Sequence, residues 1–180
     1  MLTGGKVALR AREESDVAVL HAELHGDVAG WSRADSRPWL PVPVGSSPFA
    51  VTDPADDLLR FSVVSIEDGE LAGEAVLWGI DLNQRTAHIG LSLRPAFRGR
   101  GLGRDVVRVL CDYAFTVRGL HRLQIETLAD NLAMARAATA NGFVLEGTLR
   151  RAAWVNGEFL DEVIFGLLAE DRPPPGSPAR

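Results

Sequence analysis

A single cysteine, Cys111, stands in this chain of 180 residues, beside one tyrosine and two methionines. One thiol cannot close an internal disulfide, which suits a reducing compartment, so a cytoplasmic protein is expected. Positive charge is also in short supply: 19 Lys and Arg against 24 Asp and Glu leave a formal net charge of -5. No overall basic field draws phosphate backbones, so general nucleic-acid binding is not expected. No apolar run approaches the roughly 20 residues that a membrane helix needs, so no membrane partner is expected. The opening MLTGGKVALRAREESD has no apolar stretch before a cleavage site, and no secretory leader is expected. The length suits one domain with a full core, not two. That domain is expected over residues 1–170, with DRPPPGSPAR (171–180) as a disordered, proline-rich tail.

Apolar periodicity sets out the elements. VALR reads as a short strand, and Val17, Leu20 and Leu24 share one helical face behind an N-cap at Ser15 or Asp16. Residues 28–57 are rich in Pro, Gly and Ser and read as irregular, although they carry Trp31 and Trp39. LLRFSVVSI and LAGEAVLWGI are strands joined at Asp68-Gly69, and TAHIGLSL (86–93) is a third. A helix is expected from about Gly103 to Arg118, with Val106, Val107, Leu110, Ala114 and Val117 on one side and Gly119 as its stop. HRLQIETL, an alanine-rich helix closed at Asn141-Gly142, and a hairpin about Asn156-Gly157 complete the chain. The pattern is a mixed α/β sheet of six or seven strands flanked by helices.

The strand-to-helix junction SLRPAFRGRGLGRDVVRVL concentrates three glycines and three arginines in the stretch Arg98, Gly99, Arg100, Gly101, Leu102, Gly103 and Arg104. Glycine lets a ligand touch the backbone, and a helix N-terminus offers free N–H groups and partial positive charge. The combination suits a diphosphate; a plain solvated glycine turn is the alternative. The P-loop pattern is absent, and the dinucleotide pattern fails because Arg104 stands at its last glycine.

Arg98-Gly99-Arg100-Gly101-Leu102-Gly103 resembles the [QR]-x-x-G-x-[GA] pyrophosphate loop of the GNAT superfamily of N-acetyltransferases. HIGLSLRPAFRGRGLG, Asn131 with Gly142-Phe143, the closing GTLRRAAWVNGEFLDEVIFGLL and the opening LRAREESD are similar to the ribosomal-protein branch of that family. The resemblance runs from about residue 7 to 168. It implies a mostly antiparallel sheet with a splayed parallel pair, strands 86–93 and 122–128, and acetyl-CoA as co-substrate with no metal. Pantetheine would bond the backbone near Leu91 and Leu93, the diphosphate would lie on the amides of Arg98 to Arg104, Asn131 would hold the pantetheine arm, and Arg136 would reach a phosphate. Asn131 as a helix cap and Arg136 as a solvated arginine are the plain alternatives.

Acyl transfer to an amine needs a proton acceptor, because a protonated amine has no lone pair. The resemblance implies Glu126 as base, with His88 competing; Glu126 paired with Arg122 is the structural alternative. The tyrosine and serine that relatives place after the asparagine are replaced here by Ala138 and Met134, so no general acid is evident. Tyr113 is expected in the core, and Cys111 as a buried helix thiol. Trp31 and Trp39, with Asp35, Asp53, Asp56 and Asp57 nearby in sequence, are candidates to receive a cationic amine. The expected function is transfer of an acetyl group to a protein N-terminus or a small amine; a non-catalytic acyl-CoA sensor is the alternative, and a homodimer is compatible with the branch.

Overall fold

The computed structural model describes residues 1–53 and 55–172. The expected tail at 173–180 lies outside the described residues; Asp171 belongs to a short turn over Ala169–Asp171, and Arg172 pairs with Asp112. The strands are β1 (Leu2–Thr3), β2 (Val7–Arg10), β3 (Leu58–Ser65), β4 (Leu71–Asp81), β5 (Thr86–Leu93), β6 (Arg122–Leu128), β7 (Val144–Val155) and β8 (Glu158–Leu168). They form one sheet in the order β1-β2-β3-β4-β5-β6-β8-β7, antiparallel everywhere except between β5 and β6. Seven strands follow the alternation in the sequence. The eighth, β1, is two residues pairing with Leu9 and Ala8, too short to leave a pattern.

Helix α3 (Leu102–Asp112) packs on one face of the sheet. Its Val106, Val107 and Leu110 are fully buried with Ala87, Ile89, Leu123 and Ile125 from β5 and β6. Each such side chain contributes about 1.5–3 kcal/mol on leaving water. The regular helix ends at Asp112 and continues as a wider π-type turn over Tyr113–Val117, where a straight helix to Arg118 was expected. That widening rotates Val117 out to 67% exposure, while Ala114 stays in the core and Gly119, at φ 63°, ends the turn. Helix α4 (Leu132–Thr139) joins the same layer, tied to α3 where the Asn141 side-chain amide donates to the Arg104 carbonyl.

The opposite face is covered by α1 (Glu14–Leu20) and α2 (Val28–Ala34). The cap of α1 is Glu13, one turn earlier than the sequence suggests. Asp16 sits at the third helical position, where its carboxylate accepts the Glu13 N–H at 2.9 Å. It also accepts Arg10 in a fork at 2.6 and 2.8 Å and the Ser62 hydroxyl at 2.7 Å, pinning α1 to β3. Residues 28–34, expected to be irregular, form a helix capped by Asp27. Gly30 hides the pattern, and the helix is held by burial of Trp31 with Leu20, Leu24 and Phe49.

Candidate active site

Strands β5 and β6 stay together for only three pairs, Thr86 with Arg122, Ala87 with Leu123 and His88 with Gln124. Beyond His88 each follows its antiparallel neighbour. β5 continues against β4 to the Leu93–Gly73 pair, and β6 against β8 to the Leu128–Glu162 pair. The stretch Ile89–Leu93 therefore has no register partner on its β6 side, and a wedge opens between the strands.

The wedge leads to the glycine loop. After a single turn over Pro95–Phe97 the chain takes left-handed conformations at Gly99 (φ 75°) and Gly101 (φ 78°) and enters α3. Only glycine adopts these angles without strain. Space at the loop is open: nothing lies within 4 Å of a Cβ built at Gly99, and only the Lys6 Nζ approaches one at Gly101, at 3.3 Å. Gly103 lies against the Leu91 and Leu93 side chains at ordinary contact distance, which seats the helix start on β5. Leu102 is buried and anchors the first turn.

The three arginines part company. Arg98 folds back, its Nε donating to the Leu93 carbonyl at 2.9 Å. Arg100 turns to the β3–β4 hairpin, reaching Glu67 at 2.7 Å and Asp68 at 3.0 Å, while its own carbonyl accepts the Lys6 ammonium at 3.0 Å. Arg104 is exposed on the first turn of α3. Lys6 is a loop contact that sequence reasoning missed; 94 residues separate it from Arg100, and the Asp105 carboxylate of α3 holds it there by accepting the Lys6 N–H at 2.7 Å and the Val7 N–H at 3.1 Å.

Asn131 caps α4: its Oδ1 accepts the Met134 N–H at 3.2 Å and its Nδ2 donates to the Thr127 hydroxyl at 2.9 Å. Arg136 is exposed and, with Leu132, Ala135, Thr139 and Ala140, lines an open groove of about 510 Å³ along α4. A second recess of about 200 Å³ lies beside the glycine loop, between Lys6, Ser65 and Arg100.

His88 and Glu126 meet at the throat of the wedge, with His88 Nδ1 3.6 Å from Glu126 Oε1. Arg122, the other candidate partner of Glu126, pairs with Glu146 instead, and Glu126 accepts from the Gln124 amide at 2.6 Å. His88 stacks on Trp78 at 4.2 Å, and its Nδ1 is buried with no hydrogen-bond partner among the described residues. Burial lowers the His88 pKa; the Glu126 charge opposes this and Arg122 adds to it, so the ring is neutral near pH 7. Trp78 and Gly79 escaped the sequence reading. The signal was an aromatic on the polar phase of LAGEAVLWGI. Gly79, at φ 57°, leaves just enough room for the imidazole, 3.2 Å from where its Cβ would stand.

Trp31 and Trp39 belong to the apolar cluster of the α1–α2 layer. Trp31 is buried, donating to the Arg37 carbonyl, and Trp39 is half-buried, donating to the His25 carbonyl; both rings pack on His25. Helix α2 itself does reach the wedge, since Arg33 pairs with Asp130 at 2.6 Å, one residue before Asn131. Burial pushes the Cys111 thiol up to about 12, which leaves it inert. Tyr113 is partly buried in the core against Phe61. Among the described residues no group of three or more His, Cys, Asp or Glu is placed to hold a metal.

The fold is shared with known proteins. Residues 6–144 match the acetyltransferase (GNAT) domain family. The chain belongs to the GNAT family. It is 32% identical over 117 residues to the probable N-acetyltransferase YjcK of Bacillus subtilis, covering 64% of this chain and 65% of that one. The matched stretch thus spans a little under two thirds of that relative. Two solved structures share the fold at 23% identity. The spermidine N-acetyltransferase of Vibrio cholerae, in complex with CoA and spermine, has a TM-score of 0.78 over 92% of this chain and 96% of its own. RimL, a ribosomal L7/L12 alpha-N-protein acetyltransferase in complex with CoA, has 0.80 over 93% and 96%.

Proposed function

We propose that this GNAT chain transfers the acetyl group of acetyl-CoA to a primary amine by direct attack within a ternary complex. The observation that carries the reading is the unpaired β5 stretch Ile89–Leu93, leading to an open glycine loop at the α3 N-terminus. An extended pantetheine arm fits as a partner for the Leu91–Leu93 backbone, and the amides from Gly99 to Arg104 suit a diphosphate; the Arg98 N–H is taken by the Pro95 carbonyl. Asn131 and Arg136, along α4, would border the coenzyme on the β6 side.

In the reaction the amine nitrogen attacks the thioester carbonyl carbon, the carbon–sulfur bond breaks, and the amine's proton must leave. We assign its removal to His88. The imidazole is neutral near pH 7, and the Glu126 carboxylate 3.6 Å away favours the imidazolium once the proton arrives. An N–H near Leu93 would stabilise the tetrahedral oxyanion. Met134 and Ala138 carry no dissociable proton, so neither can protonate the thiolate, and solvent returns the proton.

The test is calorimetric titration with acetyl-CoA, followed by thiol release with an amine panel. Micromolar binding that disappears in Gly101→Asp and Arg98→Glu is expected, because each puts negative charge where a diphosphate would lie. An absence of binding by the wild type overturns the reading; binding without turnover of any amine leaves the acyl-CoA sensor.

The single buried thiol suits a cytoplasmic setting. The long outer strand β7 exposes Val144, Leu145, Leu149 and Trp154, with Phe159 beside them on β8, and supports a homodimer through this edge.

A further inference from the structure

The sheet face that carries His88 also carries an arginine cluster that neither the acetyl transfer nor the coenzyme loop uses. Arg60 pairs in register with Val76, and Val76 with Gly90; one step along, Leu58 pairs with Trp78 and Trp78 with His88. Paired residues project to the same side of a sheet, and so do residues two apart. Arg60 therefore stands on the face of His88, two strands over and two residues along.

Its neighbours are already committed. Arg12, almost fully buried, holds Glu74 Oε2 at 2.9 Å and donates to the carbonyls of Phe49 and Phe61. Arg37 and Asp35 form a closed fork. Arg60 comes no closer than 3.9 Å to a carboxylate, and the oxygen it approaches is the one that Arg12 already occupies. Its Nε is buried and has no acceptor among the described residues. Three guanidinium groups thus share two carboxylates, and the surplus charge rests on Arg60. The side chain is 22% exposed, enough to be reached from solvent. Burial lowers its pKa, with Glu74 opposing, but a guanidinium stays charged at neutral pH. A planar fork with no acid of its own and an edge open to solvent is complementary to a carboxylate brought by a ligand.

We propose that Arg60 reads a carboxylate on the acceptor, so that the amine offered to His88 belongs to a molecule bearing an acid group. This rests on the acetyl-transfer reading above. Strand spacing and rise place the two Cα atoms roughly 12 Å apart. With both side chains extended inward, the acid and the amine of the acceptor lie roughly 5–8 Å apart. An ω-amino acid or an acidic peptide N-terminus meets that spacing. A polyamine does not: it offers no acid to Arg60 and sets further positive charge beside that guanidinium.

Two matched pairs test this: ε-aminocaproate against its amide, and glycyl-glutamate against glycyl-glutamine, with spermidine as the polycation. The acid member is expected to exceed its amide by about tenfold in kcat/KM, or about 1.4 kcal/mol. Preference confined to one pair tells a free amino acid from a peptide. In Arg60→Gln the ratio should fall to near one while the Kd for acetyl-CoA is unchanged, which also shows that the variant is folded. Arg60→Lys, which keeps the charge without the fork, should retain part of the preference. Equal turnover within both pairs, or preference for spermidine, overturns the proposal and leaves acetyl transfer standing. If no amine is turned over, calorimetry of the CoA-loaded protein with ε-aminocaproate decides. Binding that is lost in Arg60→Gln upholds the carboxylate site without the reaction, and no binding overturns it.

Discussion

Replacing Asp16 by Asn should destabilise the fold by about 2 kcal/mol at pH 7, and the deficit should shrink in acid. Burial pushes the Asp16 carboxyl upward, but hydrogen bonds from Arg10, the Glu13 N–H and the Ser62 hydroxyl outweigh it and hold the pKa at about 2, against an ordinary 3.8. A shift of nearly two units is worth about 2 kcal/mol of stability at neutral pH. Because the folded pKa is the lower one, this contribution is complete above pH 4 or so and is lost as pH falls through 3.8 towards 2. By pH 3 about half remains. Urea unfolding of wild type and variant at pH 7, 4 and 3 reads this directly: a gap of about 2 kcal/mol at the first two values and about 1 at the third. A gap below about 0.5 kcal/mol at pH 7, or one that does not change between pH 7 and pH 3, would refute the assignment of charge and hydrogen bonding to this carboxylate. The effect reaches the site because Asp16 fastens α1 to β3, and α1 with α2 roofs the face that carries His88 and Arg60.

Further outcomes follow from the same geometry. The kcat/KM profile should fall on the acid side at a pKa below the ordinary imidazole 6.5, and this limb should move further down in Glu126→Gln, which removes the one influence raising His88; His88→Ala should lose about 100-fold or more in kcat together with that limb, and an unmoved limb would transfer the role elsewhere. Gly79→Ala should displace the imidazole, whose Cδ2 lies 3.2 Å from the added carbon, and cost about 1–2 kcal/mol of backbone strain at φ 57°; unchanged turnover would contradict the packing of His88 over this position. Arg12→Gln, which removes the buried partner of Glu74 and the donor to the Phe49 and Phe61 carbonyls but leaves Arg60 within reach of Glu74, should cost about 1–3 kcal/mol in urea unfolding. Leu149→Lys with Trp154→Lys should shift a dimer to monomer in analytical ultracentrifugation without changing acetyl-CoA affinity; a wild type that is monomeric at high concentration removes the proposed interface.

What the sequence determined by itself was whatever repeats at short range. Alternation placed seven strands, and the apolar face of α3 named its buried residues. The glycines at 99 and 101 marked a stretch where a ligand can touch the backbone, and the chain takes positive φ at both. Asn156-Gly157 fixed its hairpin for the same reason. The tertiary structure decided everything that depends on distant partners. Helix α2 exists because Trp31 is buried with Phe49, and its local residues, Gly30 among them, argue against it. The cap of α1 moved to Glu13 because Asp16 was claimed by Arg10 and Ser62, the latter 46 residues away. The arginines of one short loop look alike in sequence, yet one bends to Leu93, one leaves for Glu67 and Asp68, and one faces water. The state of His88 follows from Trp78 and Gly79 on β4 and Glu126 on β6, which no local pattern joins. Arg60 is the sharpest case: a strand arginine reads as a solvated charge until the register sets it beside an acid that Arg12 has already taken. Short-range sterics and periodicity are written into neighbours along the chain, whereas burial and charge balance are properties of the assembled sheet.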